Sequence, residues 1–161
     1  MTPSLTTSHD ALSQQSLRDV ITALQKVGYN RQMGTMTPAI KAGGSAVVKY
    51  TTAFKGIVNG LPVQSGASGD FPALSGTVAD GYYNVFCFYI DQAGALSVLM
   101  GTAALTLDGV VFPTTPSGKA MCAFITVYTT GAAFVGNTTA LDAGTVTVKY
   151  YDGFEPACVQ L

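Results

Sequence analysis

Apolar positions along this chain follow three different rhythms. Between residues 11 and 27, Leu17, Val20, Ile21, Leu24 and Val27 recur at helical spacing. Ser8 or Asp10 can cap the first turn by accepting its unpaired N–H groups, and Gly28 ends the run. Such a stripe must be buried against the chain's own body, against a second copy or against a partner, and the pattern leaves the three open. From Tyr29 to Gly44 there is no period; with Gly34, Pro38 and paired Gly43-Gly44, this stretch reads as an extended connector. Beyond Ala46 the rhythm becomes that of short strands.

The strand that organises the rest is Tyr82–Ile90. It is rich in aromatic and β-branched residues and apolar on both faces, which predicts a strand covered on both sides. Asp91-Gln92-Ala93-Gly94 supplies a turn, Ala95–Met100 a returning strand and Met121–Tyr128 a third apolar run, so the core is antiparallel. Ala46–Tyr50 opens the sheets on this reading. Asn59-Gly60 between Ile57-Val58 and Leu61-Pro62-Val63 is a hairpin signal, since both turn residues tolerate positive φ, and Pro62 places that hairpin at an edge. Gln64–Ala79 reads as loop around Phe71-Pro72-Ala73-Leu74. Thr102–Leu107 is expected as a further strand, with Asp108-Gly109 a second hairpin-like turn before Val110-Val111-Phe112. Phe134-Val135 is a short apolar segment. In the last strand, Val146, Val148 and Tyr150 alternate with Thr145, Thr147 and Lys149, predicting one buried and one exposed face. The fold class expected is mainly β: an antiparallel β-sandwich or jelly-roll-like body over residues 45–161, preceded by an N-terminal helix and extended arm over residues 1–44.

Composition sharpens this picture. Only 11% of the 161 residues are charged, against about 25% in ordinary globular chains. A surface so poor in charge is either a Thr/Ser/Gly-rich β surface or one hidden in an assembly, and both fit here. The charge is also uneven. Residues 1–60 carry six basic side chains and two acidic ones, while residues 61–161 carry two basic and seven acidic, giving +4 and −5. A basic leading segment on an acidic body can dock onto an acidic surface, a neighbouring copy included. The basic residues are too dispersed for a nucleic-acid footprint.

Candidate chemistry is sparse. His9, the sole histidine, lies in a polar leading stretch with nothing to fix it as a base or ligand. No Gly-rich strand-to-helix loop offers a phosphate cradle. Asp80, Asp91, Asp108, Asp142 and Asp152 stand in turn contexts, where carboxylates bond backbone; a shared Ca²⁺ would need more oxygen donors close by. Cys87, Cys122 and Cys158 lack metal-ligand spacing, and Cys87 and Cys122 read as small buried hydrophobes that can bridge only if their strands are neighbours. Asn137-Thr138-Thr139 matches a glycosylation acceptor, but no signal peptide is evident and no apolar run is long enough to span a membrane. Synthesis in a reducing cytoplasm is expected. The tyrosines at 29, 82, 83, 89, 128, 150 and 151 offer a sugar- or protein-binding face, with the pairs Tyr82-Tyr83 and Tyr150-Tyr151 split between core and surface. No enzyme, cofactor or metal is indicated.

The segments Ile57–Val63 (IVNGLPV), Ser75–Tyr82 (SGTVADGY), Phe88–Leu96 (FYIDQAGAL) with Gly101-Thr102-Ala103, and Phe112–Ala120 (FPTTPSGKA) resemble small virion proteins of tailed bacteriophages over roughly residues 45–151. The resemblance implies a capsid decoration (cement) protein or a head-fibre module: a β body displayed on a particle. It carries no functional residues with it. The function expected is therefore structural: a virion protein, made in the host cytoplasm, that binds the exterior of an assembled capsid and stabilises it. Its partners would be the major capsid protein and further copies of itself, with no nucleic acid and no membrane. Arg18, Lys26 and Arg31, together with Leu17, Ile21 and Leu24, are the residues expected to make the attachment. The alternative is a receptor- or glycan-binding module of a head or tail fibre, using the tyrosines and the loops Gln64–Asp70 and Gly131–Leu141.

Overall fold

The computed structural model describes residues 31–34 and 36–153. The strands are β1 (Arg31–Gly34), β2 (Pro38–Ile40), β3 (Val48–Tyr50), β4 (Lys55–Val58), β5 (Leu61–Gln64), β6 (Gly69–Asp70), β7 (Thr77–Val78), β8 (Tyr83–Asp91), β9 (Leu96–Met100), β10 (Lys119–Thr129), β11 (Phe134–Val135) and β12 (Val146–Asp152). The pairing is antiparallel throughout these ladders. The body is mainly β, as the pattern predicts; the expected N-terminal helix lies outside the described residues.

A four-stranded sheet in the order β12-β10-β8-β9 carries the fold. Its central strand β8 is buried along almost its whole length, from Asn84 to Ile90. One face, here the inner one, presents Phe86, Phe88 and Ile90 of β8 with Ile125 and Val127 of β10 to the main core. Three short ladders close over it, ordered β1-β4-β5, β2-β3-β6 and β11-β7. They contribute Phe54, Val58, Val48, Val78 and Phe134 to the same core. Phe71 and Leu74 join it from the loop that the sequence shows only as Gly/Ser-rich. Phe71 stacks on Phe88 at 4.0 Å between ring centroids, and Tyr50 meets Phe71 edge-on at 5.3 Å.

A bulge sets the alternation of β10. Its register against β8 shifts between Met121 and Ala123, so Cys122 and Ala123 both reach the inner core. The outer set then runs Met121, Phe124, Thr126 and Tyr128. In β12, Val146, Val148 and Tyr150 pack inward while Thr147 and Lys149 are exposed, matching the alternation in the sequence.

The reading of residues 29–44 as an extended connector needs correction over its described part. β1 pairs with β4 and β2 with β3, so Arg31–Gly34 and Pro38–Ile40 already belong to the sheets. Strands of three or four residues are too short to show a period. Pro38 is compatible with one because it begins β2, an edge strand whose missing N–H breaks no interior ladder. The hairpin at Asn59-Gly60 forms with φ of 52° and 80°, pairing Val58 with Leu61, and Pro62 lies on the edge strand β5. The strand expected over Thr102–Leu107 is replaced by isolated bridges from Ala104 to Tyr83 and from Thr102 to Val111. Asp108-Gly109 closes a single 3-10 turn rather than a tight hairpin.

Candidate interaction face

The outer face of the main sheet is built in two unequal halves. After β9 the chain bulges at Gly101, runs on beside β8 as far as Ala104, and then folds back over the outer side of β8 as a strap that runs to Gly118. Ala104 exchanges two backbone hydrogen bonds with Tyr83 (2.8 and 3.0 Å), and Val110 packs over Val85, Cys87 and Tyr89. Tyr89 Oη donates to the Pro113 carbonyl at 3.2 Å, fastening the far end. The strap explains why β8 is apolar on both faces: each face has its own core.

The corner from which the strap departs is tightly built. Gly101 N–H donates to the Val85 carbonyl at 2.8 Å. The Val85 N–H is satisfied by the Asn84 side-chain Oδ1 at 2.7 Å. Asn84 is fully buried, and its Nδ2 has no protein partner among the described residues.

The strap reaches the near side of β10, where Phe112 meets Phe124, and the face steps down beyond it into a trough. The floor of the trough is Phe124, Thr126 and Tyr128 from β10, opposite Tyr151, Lys149 and Thr147 of β12 in register. Phe124 stacks on Tyr151 at 4.6 Å and 9°, and takes Phe112 of the strap edge-on at 5.3 Å. Tyr83 stacks on Tyr128 at 4.1 Å. Thr126, shorter than its neighbours, makes a notch between these two aromatic groups. The strap itself is a ridge with apolar side chains turned to solvent: Leu105 is 66% exposed, Val111 59% and Phe112 38%. Among the described residues here, Lys149 lies in the trough and Asp108 on the ridge, both exposed, while Lys119 at the end of the strap donates to Ser97 Oγ at 2.8 Å.

The tyrosines sort as their pairing predicts. Tyr82 and Tyr150 pack on the main core, whereas Tyr83 and Tyr151 face outward and stack. Tyr89 is buried beneath the strap and supports it. Phe112 and Phe124, which complete the aromatic band, were not anticipated. Their signal is the alternation Phe124, Thr126, Tyr128, which becomes visible only once the bulge at Cys122 fixes the phase.

The residues expected to make the attachment fall elsewhere. Arg31 is on β1 opposite Ile57; Arg18, Lys26, Leu17, Ile21 and Leu24 lie outside the described residues, as does His9. The loop Gln64–Asp70 borders a shallow cleft of about 330 Å³ lined by Lys41, Lys49, Tyr50, Thr51, Ser68, Gly69 and Asp70. There Lys41 Nζ meets Asp70 Oδ2 at 2.6 Å, and Lys49 is Asp70's cross-strand neighbour. Other turn carboxylates bind backbone. Asp91 accepts from Ala93 and Ala95 at 2.9 Å, Asp80 from Gly131 at 2.6 Å and Asp142 from Gly44 with both oxygens. Asp91 closes its own turn; Asp80 and Asp142 instead tie distant loops together.

Cys87 and Cys122 occupy neighbouring strands but opposite faces, one under the strap and the other in the main core, and both are free. Burial pushes each thiol up to about 12. Among the described residues no group of His, Cys, Asp or Glu is placed to hold a metal ion, and no helix is long and apolar enough to cross a membrane. Comparison with known proteins finds no matching family model, no matching curated protein and no matching solved structure.

Proposed function

We propose that this protein is a non-enzymatic structural component of a tailed-phage virion, which binds the exterior of the assembled capsid and stabilises it. The observation that carries this reading is the outer face. A charge-poor β body holds an aromatic trough and an apolar ridge open to solvent, as a subunit does whose surface is completed by other subunits. The phage-like sequence segments direct the reading toward a particle. Attachment falls to the leading residues 1–30, which carry Arg18, Lys26 and the stripe Leu17, Ile21 and Leu24, with Arg31 at the point where the chain enters the body. Residues 31–44, first assigned to the arm, act with the body because their strands are part of it.

A ligand that binds only the assembled lattice, and not its dissociated subunits, stabilises the lattice by mass action. Several weak contacts on linked copies multiply into strong overall attachment. Deleting residues 1–28 should leave the circular-dichroism signature of the β body intact and abolish co-sedimentation with particles. Undiminished decoration by the truncated chain would refute the role of the leader.

The Lys41–Asp70 cleft supports a second reading, a glycan-binding module, since hydroxyls, an ammonium and a carboxylate converge beside the loop Gln64–Asp70. A glycan array and a host-cell adsorption assay separate the two. A cement protein gives no signal in either, whereas a receptor module loses its signal on Lys49→Ala.

A further inference from the structure

We propose that the outer face is a two-fold interface between copies of this chain, in which the ridge of each copy seats in the trough of the other. This goes beyond the capsid reading, because the contact belongs to the body alone and requires no particle.

Two features of the face make it self-complementary. The first is shape. A ridge and a trough lie side by side on one surface, the strap over β8 and the open floor over β10 and β12. A two-fold axis lying in the plane of the interface, parallel to the strands and along the boundary between ridge and trough, carries each ridge onto the opposing trough, so that both are filled at once. The exposed side chains of Leu105 and Val111 then meet the aromatic pairs Phe124–Tyr151 and Tyr83–Tyr128, and Thr126 provides the notch between them. The second feature is charge. Asp108 stands on the ridge and Lys149 in the trough, so the same rotation brings Asp108 of each copy toward Lys149 of the other. A face bearing charge of one sign on both halves would be repelled by its own image. This one is not.

A second copy also accounts for both halves together. A partner with a flat apolar surface would cover the ridge and leave the trough empty. An aromatic-rich face with few charges is the usual composition of a protein interface core.

The test is sedimentation velocity of the full chain over a concentration series. The wild-type chain is expected to form dimers. Val111→Arg and Leu105→Arg, both at solvent-exposed positions, are expected to raise the dimer dissociation constant by roughly tenfold or more, equivalent to about 1.4 kcal/mol. Met33→Arg, at an equally exposed apolar position on β1, should leave it unchanged. Asp108→Lys and Lys149→Asp should each weaken the dimer, and their combination should restore it. Circular dichroism of every variant identifies any loss by misfolding, and the two ridge variants back each other up in that event. A monomeric wild-type chain, a closed trimer or larger ring, or a dimer as tolerant of Val111→Arg as of Met33→Arg would overturn the proposal. So would failure of the charge exchange to restore what the single reversals remove.

Discussion

Substitution of Gly101 by Ala tests the corner on which the whole outer face depends. A Cβ at this position would stand 2.4 Å from the Val111 carbonyl oxygen, 2.6 Å from Val85 Cγ1 and 3.3 Å from Asn84 Oδ1. The first of these is backbone, and the second is the branched side chain of a fully buried strand residue; neither can swing aside as a flexible side chain would. Overpacking of this kind costs about 1–3 kcal/mol by itself. The displaced corner also strains the bond from Gly101 to Val85 (2.8 Å) and the Thr102–Val111 pair (2.9 and 3.2 Å), each worth about 1 kcal/mol. A loss of about 3 kcal/mol follows, which for a chain of this size lowers Tm by roughly 6–12 °C. Calorimetry or thermal circular dichroism measures it, and limited proteolysis between residues 102 and 116 reports whether the strap has lifted. Gly144→Ala is the control, because its Cβ meets nothing within 4 Å, and it should match the wild type. A Gly101→Ala protein melting within about 2 °C of that control, with the strap still protected, would show that the corner relaxes freely and that this reasoning is wrong.

Three further outcomes follow from the same structure. Asp142→Ala removes both oxygens that hold the Gly44 N–H at 2.9 and 3.1 Å, and should lower stability by about 1 kcal/mol in urea unfolding. Phe71→Ala withdraws the ring stacked on Phe88, one of the two anchors, with Leu74, that tie this loop to the core; a loss of about 3–5 kcal/mol is expected, and a loss under 1 kcal/mol would show that the ring contributes little to the core. The two buried thiols should resist Ellman's reagent in the native state and make the fold alkali-sensitive. Below pH 9 the thiols are protonated whether the chain is folded or not, and their contribution is complete. Between pH 9 and about 12 the unfolded chain releases protons that the folded chain retains, so stability falls as pH rises. The slope is about 1.4 kcal/mol per pH unit per thiol. Tyr89, pushed up to about 12 mainly by burial, adds to it above pH 10. Replacing Cys87 and Cys122 by Ala should flatten the slope, and an unchanged slope would contradict the assignment.

Much of the sheet could be read in advance because its residues obey local rules. Tyr82–Ile90 is mostly apolar on both faces because both of its sides are covered, and β8 is indeed enclosed by the main core and the strap. The alternation of Val146, Val148 and Tyr150 with Thr147 and Lys149 required nothing beyond the pleat. What escaped was non-local. The pairing of β1 and β2 depends on partners about 10 to 25 residues away and leaves no period in segments so short. The bulge at Cys122 reverses which residues of β10 face outward, and no residue type marks it. Thr102–Leu107 reads as a strand, yet only isolated bridges form there, from Thr102 and Ala104, and at the corner beside it the Asn84 side chain takes the Val85 N–H. The candidate face was half legible for the same reason: paired tyrosines announce that one of each points outward, but not that Phe112 and Phe124 join them.

The low charge of the chain takes on a sharper meaning when the individual carboxylates are followed. Asp80, Asp91 and Asp142 are engaged with backbone N–H groups at turns, and Asp70 with Lys41. These side chains hold loops in place around a body that has β-structure but no described α-helix to brace it. On the outer face, Asp108 on the ridge and Lys149 in the trough stand exposed on opposite halves, while Lys119 is engaged with Ser97. An exposed sheet face ordinarily avoids association by carrying inward-pointing charge or a polar alternate set. Here the alternate set is Phe124, Thr126 and Tyr128 on one strand and Thr147, Lys149 and Tyr151 on the next, which places five aromatic or hydroxyl-bearing positions beside the one charge that could repel a neighbour. Composition and geometry thus point the same way: the scarcity of charge is concentrated on the surface where assembly would require it.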